Sequence, residues 1–310
     1  MSKPPYEPPI LIRHQAGMMN KFGRAHAMRP LDRIDGVTVD ELVKTYGSPV
    51  FVFSERTLVN YHRELRDAFS VRYPRVRIAW SYKTNYLDAV CKIFHKEGAW
   101  AEVVSEFEWE KAIRNGIPGD RIHFNGPYKP KPCLERVLRE GTMIHIDNFD
   151  ELASAEEVAK EMGETVGVAL RLNLTTDMVP SWSRFGFNIE SGQARDAVAR
   201  LLGGGALELS GIHCHIGTFI TEPAAYRQST ERLAAFANEI RDDFGVKLSF
   251  IDVGGGFASR NTLKAQYLPG EQATPSFSRY AEAIVDGLST LEYSPQEMPT
   301  LVLETGRALV

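Results

Sequence analysis

The sequence predicts a (β/α)8 barrel of the TIM type. Three observations lead there: eight short runs that are apolar rather than strictly alternating, amphipathic helical segments between them, and capping residues at the seams. The runs are 76–82, 101–105, 122–126, 143–147, 167–173, 207–216, 248–253 and 300–304. Apolar continuity marks strands covered on both faces, and a helix between successive strands makes neighbours parallel. A doubly wound open sheet shares these signals and is the alternative. A barrel also fixes where chemistry belongs, at the carboxyl ends of its strands.

Taken in chain order, residues 1 to about 36 are proline-punctuated and aperiodic, which predicts an extended arm. Thr38 and Glu41 have capping-box spacing, and Gly47 stands where a helix needs a left-handed stop. Pro49-Val50-Phe51-Val52-Phe53 is β-rich and reads as a strand outside the eight. Leu58, Tyr61, Leu65 and Phe69 then recur at helical spacing behind a Ser54 cap. Later helices repeat the punctuation: Ser105 with Glu108 before Gly116, Asn148 with Glu151 before Gly163, and Thr274 ahead of Pro275. Two regions result, an arm and strand over 1–50 and a barrel over 51–310. Val310 follows the eighth strand before any closing helix, so the sequence is expected to be part of a longer protein.

Composition narrows the chemistry. Of 310 residues 43% are hydrophobic, and 36 Lys and Arg face 40 Asp and Glu for a net charge of −4. That suits a folded domain and argues against a nucleic-acid binder, which needs clustered cations. Cys91, Cys133 and Cys214 are too few and scattered for a disulfide framework or a paired zinc spacing, which fits a reducing cytoplasm. No apolar run approaches the roughly 20 residues of a membrane span, and the amino terminus lacks a secretory core. A cytoplasmic protein acting on a small molecule, with no membrane partner, is expected.

Four strand ends carry reactive side chains. Lys83, after the first, reads either as a partly desolvated amine able to condense with an aldehyde or as a solvated loop lysine. His213 and His215 share one face of the sixth strand. They could bind a metal with His145 as third ligand, stack on an aromatic cofactor, or be hydrogen-bonded core residues. Gly254, Gly255 and Gly256 follow the seventh strand, where bare backbone N–H groups can cradle a phosphate. Glu304, Gly306 and Arg307 end the eighth, placing a carboxylate near the axis and a cation at the rim, unless they are plain surface residues.

In this order the motifs Tyr82-Lys83-Thr84-Asn85, Glu102-Val103-Val104-Ser105 with Glu108, His213-Cys214-His215-Ile216-Gly217-Thr218, Asp252-Val253-Gly254-Gly255-Gly256-Phe257 and Glu304-Thr305-Gly306-Arg307 form a pattern. From about residue 38 to 310 the chain resembles the fold-type III pyridoxal-phosphate decarboxylases, the diaminopimelate, ornithine and arginine decarboxylases, with the diaminopimelate branch closest in pattern. The resemblance implies that Lys83 holds pyridoxal 5'-phosphate as an internal aldimine and that His215 stacks on its ring. Gly254, Gly255, Gly256, Gly306 and Arg307 would hold the phosphate, with Thr218 where the family usually has serine. Glu304 would face the pyridine nitrogen, Arg171 would stand near the ring, and Glu102 would pair with the stacking histidine.

The resemblance further implies decarboxylation of a diamino acid or a related amino acid, with Lys83, His215 and Glu304 catalytic and no metal. It implies a homodimer whose carboxy-terminal β domain, absent from this chain, adds a cysteine acid and substrate-binding acids. Thr305 stands where the family usually has proline and Thr84 where it has alanine or cysteine, so the substrate is the least determined feature. Two other functions are weighed: a non-catalytic homologue with a regulatory or binding role, and a metal-dependent barrel hydrolase using His213 and His215.

Overall fold

The computed structural model describes residues 31–180, 182–260 and 273–310. The arm up to residue 30, Ser181 of the loop after the fifth barrel strand, and 261–272 of the loop after the seventh lie outside the described residues. A two-stranded antiparallel ribbon, β1 (Arg33–Ile34) and β2 (Val37–Thr38), leads into helix α1 (Val39–Tyr46). Thr38 caps α1 by accepting from the Glu41 N–H, and Gly47 ends it at φ 82°, both as expected. Residues 50–53 form no strand, and Phe51 is 92% exposed. β-propensity gives no strand without a neighbour to complete its ladder. Helix α2 (Glu55–Ser70) follows under the Ser54 cap and buries Leu58, Leu65 and Phe69.

Among the described residues eight parallel strands close the barrel: β3 (Val76–Ser81), β4 (Trp100–Val103), β5 (Ile122–Phe124), β6 (Met143–Ile146), β7 (Val166–Asn173), β9 (Leu207–Cys214), β10 (Phe250–Asp252) and β11 (Thr300–Thr305). Their order is β6-β5-β4-β3-β11-β10-β9-β7, and β6 pairs with β7 to complete the ring, so the open-sheet alternative falls. Like the β1–β2 ribbon, the short strand β8 (Phe187–Asn188), which pairs with the end of β7, was not anticipated. Helices α3 (Asp88–Lys96), α4 (Glu106–Arg114), α5 (Lys131–Arg139), α6 (Phe149–Met162), α7 (Gln193–Gly204), α8 (Pro223–Phe244) and α9 (Phe277–Leu288) connect the strands. None among the described residues is long and apolar enough to cross a membrane.

The helix starts are built as the spacing predicts, with one variation. Ser105 accepts from the Glu108 N–H and Asn148 from the Glu151 N–H. Each glutamate then reaches back one residue further than a capping box requires, to the Val104 N–H at 2.7 Å and the Asp147 N–H at 2.6 Å. Thr274 is not a cap. Its hydroxyl donates to the Ser259 carbonyl, and α9 starts at Phe277 behind Ser276.

Side chains alternate along each strand, so the barrel has two interiors. Outward residues such as Ile78, Trp80, Ile122 and Leu303 pack beneath the helices in one apolar core, Trp80 stacking on Phe94 with ring centroids 4.0 Å apart. The inner channel is apolar at its base, where Ala169, Phe250 and Val302 meet, and strongly polar above. One wall holds a buried ion pair. The Lys129 ammonium donates to the Gly126 and His145 carbonyls and to Glu151 Oε1 at 2.7 Å. Glu151→Ala would leave that ammonium without its hydrogen-bonded counter-charge, and a loss of about 3–5 kcal/mol in urea unfolding is the expected result.

Candidate active site

The carboxyl ends of β3, β9, β10 and β11 surround a cavity of about 500 Å³. Lys83, His215, Thr218, Gly255, Gly256, Glu304, Gly306 and Arg307 all line it, so eight residues singled out in the sequence converge. Ser81, Thr84, Trp182, Phe257 and Val310 complete the wall, and none of them was given a role from the sequence. Trp182 comes from the loop between β7 and β8 and stands edge-on to the His215 ring, centroids 6.3 Å apart.

Lys83 leaves the end of β3 half-exposed, and its Nζ lies 2.7 Å from Glu102 Oε1 at the end of β4. Burial favours the neutral amine, but the charges of Glu102 and Glu304 outweigh it and hold the lysine above its ordinary pKa. Glu102 is completely buried, and its own carboxyl is pushed up by that burial. It contacts Lys83, whereas the resemblance would pair it with His215.

The glycine turn is held from behind. Glu304 N–H donates to the Gly254 carbonyl, the Tyr226 hydroxyl to the Gly255 carbonyl, and Ile220 N–H to the Gly256 carbonyl. Gly256 has φ 92°, and a Cβ there would lie 2.2 Å from the Gly217 carbonyl oxygen, so only glycine fits. Gly254, at φ 66°, sits beneath the cavity wall with its N–H turned inward to Asp252 Oδ1 at 2.8 Å. The Gly255 N–H donates to His215 Nδ1 at 3.2 Å, which leaves the hydrogen of a neutral ring on Nε2. Burial first, and then the Lys83 charge, lower His215 to about 3, so the ring is uncharged at neutral pH.

Glu304 is 3% exposed on the inner face of β11. Asn125 Nδ2 donates to its Oε1 at 2.6 Å, and His213 Nε2 stands 3.2 Å from its Oε2. Burial opposes ionisation, yet His213, Lys83 and His145 outweigh it and hold the carboxyl well below the usual range. Asp252, deeper in the barrel, is pushed the opposite way by burial and by the Glu304 charge. The two acids are therefore pushed in opposite directions within the interior. Arg171 is buried behind the cavity, donating to the Asn125 carbonyl and lying 3.6 Å from Asp147.

His213 and His215 do not act as a pair. His213 points to Glu304 and His145 in the interior, while His215 meets the glycine turn at the mouth. The convergence that a metal pair with His145 as third ligand requires is not formed.

The donor set fits pyridoxal phosphate. The cavity offers an amine for the aldehyde, a flat neutral imidazole for a ring face, and a glycine turn with Thr218 and Arg307 for an anion. At its floor Glu304 Oε2 makes no aligned hydrogen bond, so it can accept one from a protonated ring nitrogen.

Comparison with known proteins agrees. The chain is 31% identical over 295 residues to the diaminopimelate decarboxylase of Methanocaldococcus jannaschii and 30% identical over 287 residues to that of Bacillus subtilis. Each match covers 89% of this chain and 64% of the relative, so the chain spans just under two thirds of the relatives' length. A crystal structure of the M. jannaschii diaminopimelate decarboxylase in complex with L-lysine superposes with a TM-score of 0.79 at 28% identity, covering 90% of this chain and 65% of that one. Residues 56–310 match the pyridoxal binding domain of the pyridoxal-dependent decarboxylases. With that match over most of its length, and with Lys83, the glycine turn and Glu304 around one cavity, the chain belongs to the pyridoxal-dependent decarboxylase family, and pyridoxal phosphate is its cofactor.

Proposed function

We propose that this chain is the cofactor-carrying barrel of a decarboxylase acting on a diamino acid, with pyridoxal phosphate attached covalently to Lys83. One observation carries the proposal: the Lys83 amine and the buried, ionised Glu304 carboxylate line the same cavity. Thr218, Gly255, Gly256, Gly306 and Arg307 would hold the phosphate, with Gly254 shaping the turn and His215 against the ring. Arg171 would act from behind, through its contact with Asn125. When bound, the cofactor supplies an electron-withdrawing ring that takes up the electrons left as CO₂ departs. Glu304 would keep the ring nitrogen protonated, which a cationic residue at that place would not do. Glu102 would receive the proton that Lys83 must lose before its amine can attack.

A diamino acid is favoured by the relatives. Lysine is what remains when diaminopimelate loses one carboxylate, and a solved relative binds L-lysine. A homodimer, and the division into an arm over 1–50 and a barrel over 51–310, belong to the same proposal. The test is to add pyridoxal phosphate to the purified chain and follow an absorption band near about 420 nm, then CO₂ release from a panel of diamino acids. Absence of both would sink the proposal, and a band without CO₂ release would leave either the non-catalytic alternative or a site that is incomplete in this chain.

Glu102 gives a pH prediction. Its charge raises the Lys83 pKa, so Glu102→Gln lowers it, and the neutral amine becomes available at lower pH. The midpoint for cofactor attachment, followed by absorbance against pH, should move toward acid. A midpoint that stays in place or moves toward alkali would contradict the pairing.

A further inference from the structure

Beneath Glu304 the barrel holds a column of histidines that the proposed chemistry leaves without a role. His123 on β5, His145 on β6 and His213 on β9 are each fully buried. His123 Nδ1 lies 3.0 Å from His145 Nε2, and the His145 and His213 rings are 5.0 Å apart at their centroids. His213 Nε2 and Glu304 Oε2 face each other at 3.2 Å without being aligned as a hydrogen bond, and neither atom has another partner. Donor atoms of His145, His213, Asp252 and Glu304 lie within 4.8 Å of one another. Buried polar atoms at such density are costly unless they hold something in place.

His213 reaches Glu304 from two strands away. β10 lies between β9 and β11, and its inward Asp252 pairs in register with His213 on one side and Val302 on the other. The groups around the Glu304 carboxylate come from every wall: Lys83 after β3, Glu102 on β4, Asn125 after β5 with His123 below it, and His145 on β6. Arg171 on β7, His213 and His215 at the end of β9, and Asp252 on β10 complete the set. Among the described residues Asn125 and His213 alone have a side-chain nitrogen within hydrogen-bonding distance of its oxygens, one on each.

We propose that His213 is a positioning residue for Glu304. From 3.2 Å inside the barrel a small turn of its ring lets the Nε2–H donate to the carboxylate and, with Asn125, fix the plane in which that carboxylate would meet the cofactor ring. His145, tied to His123, packs against the His213 ring. This assignment rests on the cofactor reading for its purpose, but the contact itself does not depend on bound cofactor.

The test has two arms on the full chain. In the first, histidine ring nitrogens are observed by ¹⁵N NMR without cofactor, the His213 signal being identified by its loss in His213→Gln. That signal should show hydrogen on Nε2 and should move in Glu304→Gln. In the second, pyridoxal phosphate is titrated into His213→Leu, His213→Gln and each combined with Glu304→Gln. His213→Leu should weaken binding about tenfold, His213→Gln should lose less because its amide still donates, and in the Glu304→Gln background the leucine change should cost less than about twofold. A His213 signal unmoved by Glu304→Gln would overturn the assignment. So would an equal loss from leucine in both backgrounds, which is the behaviour of a merely structural side chain. Should the unmodified chain bind no pyridoxal phosphate, the cofactor reading fails while the NMR arm still decides the contact.

Discussion

Lys83→Ala is expected to abolish the visible absorption band of the cofactor-loaded chain and to lower any decarboxylation by about a thousandfold or more. Among the described residues no other amine lines the cavity, and Arg307 is a guanidinium that keeps its proton. The fold should survive. Lys83 sits at the mouth rather than in the core, and its removal leaves Glu102 free to take up a proton in its buried position. Retained cooperative unfolding with a lost band separates loss of attachment from loss of structure. A variant that keeps the band would place the attachment elsewhere.

Glu304→Gln has the second largest effect and a different signature. An amide has nearly the shape of the carboxylate but no charge, so cofactor should still attach at Lys83 and the band should persist. What is lost is the anion that favours a protonated ring nitrogen, and removal of one such preorganised electrostatic partner costs about 10²–10³ in turnover. The absorbance should also become more sensitive to pH, since the ring nitrogen would then titrate freely. Turnover within about twofold of the unmodified chain would show that Glu304 does not serve the ring.

The barrel was legible because its outward face is what an apolar run reports. Ile78, Trp80, Ile122, Ile144, Ile146, Leu301 and Leu303 pack under helices whose starts are marked by Ser105 and Asn148. Strand lengths were less so, since β9 stops at Cys214 and His215 leaves the ladder to enter the mouth. The strand expected near Phe51 failed because a β-rich run does not reveal whether a partner is present.

The rim of the site was legible for a related reason. Lys83 and the glycine turn come just after strands and Glu304 stands near the tip of one, and every strand end of a barrel opens on the same mouth. The floor was not. Asn125 and His123 carried no signal of their own and His145 only that of a third metal ligand, and ring closure alone brings them against Glu304 and Asp252. Asp252 stood inside a quoted motif without a role, although its register beside His213 determines what lies beneath the glycine turn. Trp182 was hidden by its place in a loop, where periodicity carries no signal.

Borohydride reduction of the cofactor-loaded chain, followed by digestion and mass spectrometry, tests the central assignment most directly. The pyridoxyl label should lie on the single peptide that contains Lys83. A label on any other lysine, or none after reduction, would contradict it.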